Sequence, residues 1–345
     1  MSDSGDGRGS GLGTGFFSYG GTQVPLLPTR LSFKDRLGDA RSRLGIFRSR
    51  FSISPGVYAV GSPNEDSEVF VTANFKLTVD SLRKELAGID AWVLILDTKG
   101  INVWCAAGKG TFGTKELTNR IAEVGLEKLV RHRTLILPQL GAPGVSAPAV
   151  LKSSGFRVIY GPVRARDIPA FLSNGLKKDD SMRRVQFRFA DRMAVSGIEV
   201  VHSWPFLAAL LAVAAILSIP FDAGYLGRLL AAFMPFAGSI LVGTLVFPAL
   251  LPLLPTRMFS VKGAILGAGW AVAAALIWGM GFVHAAGTAL IVVPVVSFIA
   301  MNFTGSSTFT CQTGAELEVK RGLIPMVASL IIGIAVSAVS RFAGI

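Results

Sequence analysis

Long apolar runs in the second half of this 345-residue sequence constrain its fold more than any other feature. Charged side chains nearly disappear after residue 202, whereas most of them lie in the first 200 residues. About 20 consecutive apolar residues suffice to cross the hydrocarbon core of a bilayer, which is about 30 Å thick. The runs extend approximately over residues 203–221, 229–250, 261–281, 287–303 and 323–342. The pattern therefore predicts an all-α transmembrane domain of about five helices.

A different pattern precedes the apolar runs. Strand-like segments cover residues 68–72, 91–97, 134–138 and 156–160, and helical segments at 78–87, 114–131 and 167–174 alternate with them. Such alternation is typical of a compact α/β domain with a mostly parallel sheet. We predict four regions: a disordered, basic N-terminal segment (1–54) with a short surface helix within 31–55, a Rossmann-like α/β domain (55–180), a basic juxtamembrane linker (181–202) and the transmembrane domain (203–345).

The net charge of +12 favours a partner of opposite charge. The basic residues concentrate in the N-terminal segment and directly before the first apolar run, and no helix-turn-helix or aromatic RNA-binding motif accompanies them. We therefore expect contact with the lipid bilayer and no nucleic-acid partner. The bias of Arg and Lys between the two sides predicts a multi-pass protein of the cytoplasmic (inner) membrane, with its N-terminal domain in the cytoplasm. The start of the sequence has no apolar core, so we expect no secretory signal peptide.

The segment 102–109 is the most informative motif of the soluble region. It follows the buried strand predicted at 91–97, and ligands of open α/β sheets bind where such strands end. Asn102 is a suitable N-cap for a short helix, and Cys105 lies within that helix. Small side chains beside the thiol allow close approach of a large flat ligand, and Trp104 is expected to pack into the domain beneath. The remaining members of the motif are Val103, Ala106, Ala107, Gly108 and Lys109.

The residues alone leave several interpretations of Cys105 open. A lone cysteine after a strand is commonly a small buried apolar residue, but a thiolate is also a soft ligand for a transition metal. A cysteine nucleophile needs a base, and His132 is the one histidine of the soluble region, in a basic surface stretch. The second cysteine, Cys311, is distant in sequence, and no CxxC motif indicates a zinc or iron–sulfur site. No GxGxxG sequence follows a predicted strand, which argues against a dinucleotide site.

The sequence resembles the HgcA-type corrinoid proteins that methylate mercury. The resemblance rests on the cap-helix motif 102–109 and on flanking matches across the soluble region, with one further match in the apolar half. These matching segments are 55–59, 69–76, 88–92, 96–101, 110–114, 137–144, 161–165 and 301–310. The resemblance implies that the α/β domain binds a cobalamin-like corrinoid, related to the corrinoid domain of the corrinoid iron–sulfur protein of the acetyl-CoA pathway.

The resemblance also assigns roles to individual residues. Cys105 would be the catalytic residue and the lower axial ligand of cobalt. The sequence lacks the Asp-x-His-x-x-Gly motif of domains that bind cobalt through histidine, which agrees with a thiolate ligand. The implied corrinoid-binding positions are Thr72, Thr78, Asn102, Val103, Trp104, Cys105, Ala106, Ala107, Gly108, Lys109, Gln139, Gly141, Ala142 and Pro143.

The implied activity is that of a corrinoid-dependent methyltransferase. Cobalt reduced to Co(I) would take a methyl group from a methyltetrahydrofolate-type donor, and methyl-Co(III) would pass it to Hg(II), giving methylmercury. Because this chain has no cluster of its own, a ferredoxin-like partner with two 4Fe–4S clusters would re-reduce the cobalt. Two other functions remain open: a corrinoid methyl carrier of one-carbon metabolism, and a non-enzymatic membrane sensor or transporter subunit.

Overall fold

The computed structural model describes residues 15–45, 52–219, 222–310 and 312–343. The chain divides into two compact units, Met1–Val185 and Gln186–Ile345, which are described separately. Cys311 and residues 1–14 of the N-terminal segment lie outside the described residues.

The first unit is an α/β domain preceded by a hairpin and a helix. Its strands are β1 (Phe16–Tyr19), β2 (Thr22–Pro25), β3 (Gly56–Val60), β4 (Val69–Ala73), β5 (Ala91–Leu96), β6 (Thr134–Leu137) and β7 (Arg157–Tyr160). Its helices are α1 (Phe33–Arg43), α2 (Lys76–Arg83), α3 (Val103–Gly108), α4 (Thr114–Glu123), α5 (Ala147–Ser154), α6 (Ile168–Ser173) and α7 (Asp180–Arg183).

One five-stranded sheet forms the centre of this domain, in the order β3-β5-β4-β6-β7. Strand β3 is antiparallel to β5, and the other neighbouring pairs are parallel. All six side chains of β5 are buried, because apolar side chains pack on both faces of a sheet that is covered on both sides. The predicted α/β class with a mostly parallel sheet is therefore confirmed.

The prediction of disorder over the first 54 residues is wrong for residues 15–45. Strands β1 and β2 pair as an antiparallel hairpin. The rings of Phe17 and Tyr19 pack edge-on against Trp92 of β5, with centroid distances of 6.1 and 5.5 Å. The Gly- and Ser-rich composition concealed these aromatic contacts, since their partner lies far along the chain. The short surface helix expected in this region is present as α1.

Helix α1 is attached to α2 by a largely buried group of charges. Asp35 of α1 lies 2.9 Å from both Lys76 Nζ and Arg83 Nη2. Asp80 also pairs with Lys76, and its Oδ1 accepts from Arg83 Nε at 2.5 Å. Although burial opposes it, hydrogen bonds from Lys76, Ser32 and Arg83 hold the pKa of Asp35 well below its usual range. This group of charges was not predicted from sequence.

The second unit is helical. Its elements are α8 (Phe189–Leu217), α9 (Tyr225–Leu241), α10 (Phe247–Leu250), α11 (Phe259–Ile277), α12 (Phe282–Asn302) and α13 (Gln312–Ala343). A π-helical turn, Val242–Val246, joins α9 to α10 just before Pro248, which has no N–H to donate. Among the described residues five helices are long and apolar enough to cross a membrane, as predicted. They indicate a multi-pass membrane protein.

Two of these helices begin more than ten residues earlier than the apolar runs predict. Helix α8 starts at Phe189 because buried Arg192 donates to the carbonyls of Phe187, Pro248 and Ala249. The residues of the predicted linker are thus partly helical. Helix α13 starts at Gln312, and its buried Glu318 accepts from the backbone N–H groups that begin α11. Charged residues therefore extend both helices beyond their apolar cores.

Candidate corrinoid site

The candidate site lies at the carboxyl edge of the parallel strands. Helix α3 follows β5 through the loop 97–101, and the ends of β4, β6 and β7 lie along the same edge. The Oδ1 atom of Asn102 accepts a hydrogen bond of 2.9 Å from the backbone N–H of Cys105. The predicted N-cap and short helix are both confirmed.

Helix α3 is divided into a buried and an exposed face. Ala106 and Ala107 are packed into the domain core, whereas Cys105 is a free, exposed thiol. Gly108 and Lys109 are also exposed. The exposed thiol excludes the interpretation of Cys105 as a small buried apolar residue. It leaves the sulfur accessible to a ligand or metal ion.

The position of Trp104 differs from the prediction. Its side chain is 42% exposed and lines a cavity instead of packing into the domain beneath. Buried Val103 takes the expected anchoring position, since it belongs to the hydrophobic core. In a helix of only six residues, one face is too narrow to bury both neighbouring side chains.

The cavity beside α3 has a volume of about 400 Å³. The loop after β6, the segment after β7 and helix α2 form its walls. Five of the residues predicted from sequence line it: Thr72, Thr78, Asn102, Val103 and Trp104. Further lining residues include Arg43, Phe70, Ser81, Leu137, Pro138, Leu140, Gly161 and Pro162, most of which sequence reasoning missed. Only the location of these residues near strand ends could have indicated from the sequence that they line the cavity.

The loop predicted to touch the corrinoid also packs closely against α3. A Cβ atom added to Gly144 would lie 2.9 Å from the Cα atom of Ala107, and one on Gly141 would lie 2.5 Å from the ring of Phe112. Gln139 Oε1 accepts a hydrogen bond from Lys178. Within the same loop, Ala142 is half-buried and Pro143 is exposed. The loop therefore supports α3, and its glycines permit the close approach.

Asn74, which sequence reasoning did not assign, fixes the loop before α3. Its side chain is almost completely buried. The Oδ1 atom accepts from the N–H groups of Thr98 and Gly100 at 3.1 and 2.9 Å, and from the Thr98 hydroxyl at 2.8 Å. The same hydroxyl also lies 2.6 Å from the Ile101 carbonyl oxygen, so its single proton is shared between these two acceptors. One amide thus determines the path of the chain into the thiol-bearing helix.

A second contact holds the same loop from α4. Glu116 Oε1 accepts from the backbone N–H of Asp97 at 2.9 Å, and Arg120 donates to the same oxygen at 2.8 Å. Burial raises the pKa of Asp97 but hydrogen bonds from Lys99 outweigh it, so that the pKa lies below its usual range. Lys99 itself has a left-handed backbone, with φ of 58°. These contacts therefore hold the loop in one conformation.

The structure offers no base to Cys105 from His132. The histidine precedes β6, at the opposite edge of the sheet from α3, and its Nε2 lies 2.9 Å from the Ser67 carbonyl oxygen. Within the described ranges, no group of three or more His, Cys, Asp or Glu side chains could hold a metal ion. A metal bound by Cys105 would therefore need most of its ligands from a cofactor.

Similarity to known proteins supports a corrinoid site. Residues 47–172 match the family model described as CO dehydrogenase/acetyl-CoA synthase delta subunit. Over 127 residues the chain is 32% identical to the acetyl-CoA decarbonylase/synthase complex subunit gamma of Archaeoglobus fulgidus, covering 36% of this chain and 27% of that protein. The corresponding subunit of Methanopyrus kandleri is 34% identical, over 35% of this chain and 26% of its own length.

A bacterial relative carries the cofactor class in its name. The corrinoid/iron-sulfur protein large subunit of Moorella thermoacetica is 34% identical over 114 residues, which cover 32% of this chain and 25% of that protein. The chain thus spans about a quarter of the length of the curated relatives it matches. The family match lies within the α/β unit, which is thus similar to a subunit of CO dehydrogenase/acetyl-CoA synthase, and the chain is similar to the large subunit of a corrinoid/iron-sulfur protein.

Proposed function

We propose that the protein is a membrane-anchored corrinoid methyltransferase that methylates Hg(II). The observation that carries the proposal is an exposed, capped thiol at the carboxyl edge of the sheet, beside a cavity of about 400 Å³. The similarity of this domain to corrinoid proteins supports the cofactor class. The mercury acceptor rests on the cap-helix motif 102–109 and is the finer part of the proposal.

The residues present fit a corrinoid in two respects. The exposed face of α3 carries a soft sulfur ligand beside small residues, which suits the close approach of a flat macrocycle. The adjoining cavity is lined by Asn102, Val103 and Trp104, whereas the thiol of Cys105 points to solvent. The exposed face of α3 would hold the metal-bearing ring of a corrinoid, and the cavity would receive its nucleotide tail.

When bound, the corrinoid supplies a cobalt centre that accepts a methyl group from a methyltetrahydrofolate-type donor and releases it to Hg(II). Cys105 would hold the metal through its sulfur and donate electron density to it, which would assist methyl transfer to an electrophilic acceptor. Asn102 fixes the turn that presents the sulfur, and Thr72 and Thr78 offer hydroxyl groups to the cavity.

The proposal includes a protein partner. The chain has only two cysteines, too few for a four-cysteine iron–sulfur cluster, yet the cobalt must be reduced between cycles. We assign that step to a ferredoxin-like protein with two 4Fe–4S clusters. The bilayer and a cytoplasmic position of the α/β domain complete the assignment, in keeping with the five apolar helices.

A second candidate function is a corrinoid methyl carrier of one-carbon metabolism. The named relatives from complexes that make or cleave acetyl-CoA favour it. It uses the same thiol and cavity but a different methyl acceptor. The two candidates therefore differ in the acceptor assay and agree in cofactor content.

Cofactor content and the acceptor can be tested on the membrane-purified full chain. We expect about one cobalt per chain and a corrin absorption band that shifts in Cys105→Ala, whose methylmercury formation from Hg(II) is lost. Cys311→Ala is the matched control for the spectrum, and His132→Ala should leave methylation unchanged. Absence of cobalt after reconstitution with cobalamin would overturn the corrinoid assignment. Cobalt with an unshifted band would overturn the role of Cys105, and methyl transfer only to a one-carbon acceptor would favour the carrier.

A further inference from the structure

Helix α1 presents an apolar stripe to solvent. The side chains of Phe33, Leu37 and Leu44 are 79, 41 and 37% exposed, and Ala40 lies between them. Their spacing of three to four residues places all four on one face of the helix. Exposure of such a stripe is unfavourable, because the transfer of each large apolar side chain out of water lowers the free energy.

Basic side chains border the stripe along both sides. Lys34 and Arg41 lie on one flank and Arg36 and Arg43 on the other, and all four are exposed. The residues at helical positions between each flank and the stripe carry no acidic group. The outward surface of α1 thus combines a narrow apolar centre with positive edges.

The acidic residues of α1 face the opposite way. Asp35 pairs with Lys76 and Arg83 of α2, and Asp39 lies beside Asp80. Gly38 and Ser42 are buried on the same face. The ion pairs therefore fix the rotation of α1 about its axis, so that the domain itself holds the apolar and basic face outward.

We propose that α1 is an interfacial helix that lies on the surface of a membrane containing anionic lipids. Such helices insert an apolar stripe at the level of the headgroups while flanking Lys and Arg side chains contact lipid phosphates. Charge complementarity favours lipid over a second protein surface, since cations border the stripe on both sides. Among the described residues five helices are also suited to cross a bilayer, so that a lipid surface is available to α1.

Membrane binding by α1 would also affect the candidate site. This binding does not depend on the proposed function. Helix α2, to which α1 is fixed, contributes Thr78 and Ser81 to the cavity, and Arg43 at the end of α1 lines it directly. A membrane-bound α1 would thus hold one wall of the cavity near the lipid headgroups.

Photocrosslinking of the full chain in nanodiscs tests the proposal. The crosslinking residue p-benzoylphenylalanine replaces Leu37, and lipid adducts are quantified by mass spectrometry in phosphatidylcholine and in mixtures with phosphatidylglycerol. We expect roughly fivefold more adduct in the anionic membrane, because each basic residue near the surface favours binding. The matched control is the same replacement of Leu151, which is 51% exposed on α5 and should give few adducts in either membrane.

A charge variant completes the test without touching the cavity. Arg36→Gln combined with Arg41→Gln should reduce the adducts at position 37 to the level seen in phosphatidylcholine. Equal adduct formation in both membranes would overturn the proposal. So would crosslinks from position 37 to a second copy of the chain or to its own residues, with no lipid adduct.

Discussion

Single buried polar side chains determine where the thiol of this protein lies. Asn74 holds the loop before α3 through three acceptor contacts, and Asn102 caps the helix itself. A buried acceptor that loses its partners, or donors that lose their acceptor, cost about 1–3 kcal/mol each. The position of Cys105 therefore depends on side chains that hold the backbone of its loop and helix.

Replacement of Asn74 should loosen the thiol-bearing helix. In Asn74→Ala, the N–H groups of Thr98 and Gly100 lose their acceptor, so we expect destabilisation of about 2–3 kcal/mol. We also expect faster hydrogen exchange in residues 98–108 and a weaker corrin band. The measurements are hydrogen-exchange mass spectrometry and absorption of the purified chain. Asn119→Ala, an exposed asparagine on α4, is the matched control, and equal effects of the two variants would contradict the positioning role.

At the scale of elements, those specified by local sequence were predicted, whereas those stabilised by long-range contacts were not. The sequence 102–109 was sufficient to predict α3, because an N-cap and a strand end are local signals. The β5 strand was predicted from its apolar run. Helix α4 ends at Glu123, earlier than predicted, since Gly125 adopts a left-handed φ of 59°.

Elements whose stability comes from distant partners could not be predicted. Strand β3 was missed because it is an antiparallel edge strand whose pairing with β5 is not visible in its short sequence. Helix α5 was hidden by the turn-rich residues before it. The cavity was also only partly predicted, since its walls come from segments separated by up to about 125 positions along the chain, from Arg43 to Ile168.

Two glycine variants should separate the packing of α3 from its proposed binding surface. Gly144→Ala would bring a methyl group against Ala107 and Phe112, so we expect a loss of thermal stability even without cofactor. A Cβ atom added to Gly108 would meet no atom within 4 Å, so Gly108→Ala should leave the fold intact. If a flat ligand lies on that face, the added methyl group should still weaken corrinoid uptake severalfold. Normal uptake by Gly108→Ala, measured by cobalt content, would argue against the exposed face as the ring site.

The packing of α1 on α2 should depend on pH through Asp39. Burial, followed by the charge of Asp80, raises the pKa of Asp39 to about 6. Because the folded-state pKa is raised, ionisation of Asp39 costs stability, and that stability is lost as the pH rises from about 4 through 6. Asp39→Asn should therefore slow hydrogen exchange of residues 33–43 at pH 7.5, and its effect should shrink toward pH 5.

The opposite sign is expected for the neighbouring carboxylate. Asp35→Asn removes the ion pairs with Lys76 and Arg83, so exchange of α1 should become faster at pH 7.5. The two variants carry the same substitution at sites four residues apart. Each is therefore the control of the other. Faster exchange in Asp39→Asn would contradict the assignment of a charge cost to Asp39.

The whole molecule combines an α/β unit, which a family model matches over residues 47–172, with a helical unit. Counting of apolar runs predicted the number of helices correctly, because each run is a local property. The true starts of α8 and α13 were not predicted, since Arg192 and Glu318 are stabilised by backbone groups of other helices.

An odd number of spans should place the two ends of the chain on opposite sides of the membrane. From the Arg and Lys bias we predict that the α/β unit faces the cytoplasm. Green fluorescent protein fused after residue 345 should therefore be dark, and alkaline phosphatase fused there should be active. The same reporters fused after residue 307, before the fifth helix, should give the reverse result. Fluorescence of the full-length fusion would contradict the assigned orientation.

The exposure of Cys105 also bears on the order of assembly in a cell that contains mercury. A solvent-accessible cysteine sulfur binds soft metal ions, and Hg(II) is such an ion. A chain that met mercury before its cofactor would be blocked at the sulfur that we propose as the cobalt ligand. We expect cofactor-free protein treated with Hg(II) to refuse corrinoid until a competing thiol removes the metal, whereas protein loaded first should resist the treatment. Under the proposed function, cofactor insertion would be the step that protects the protein from inactivation by Hg(II).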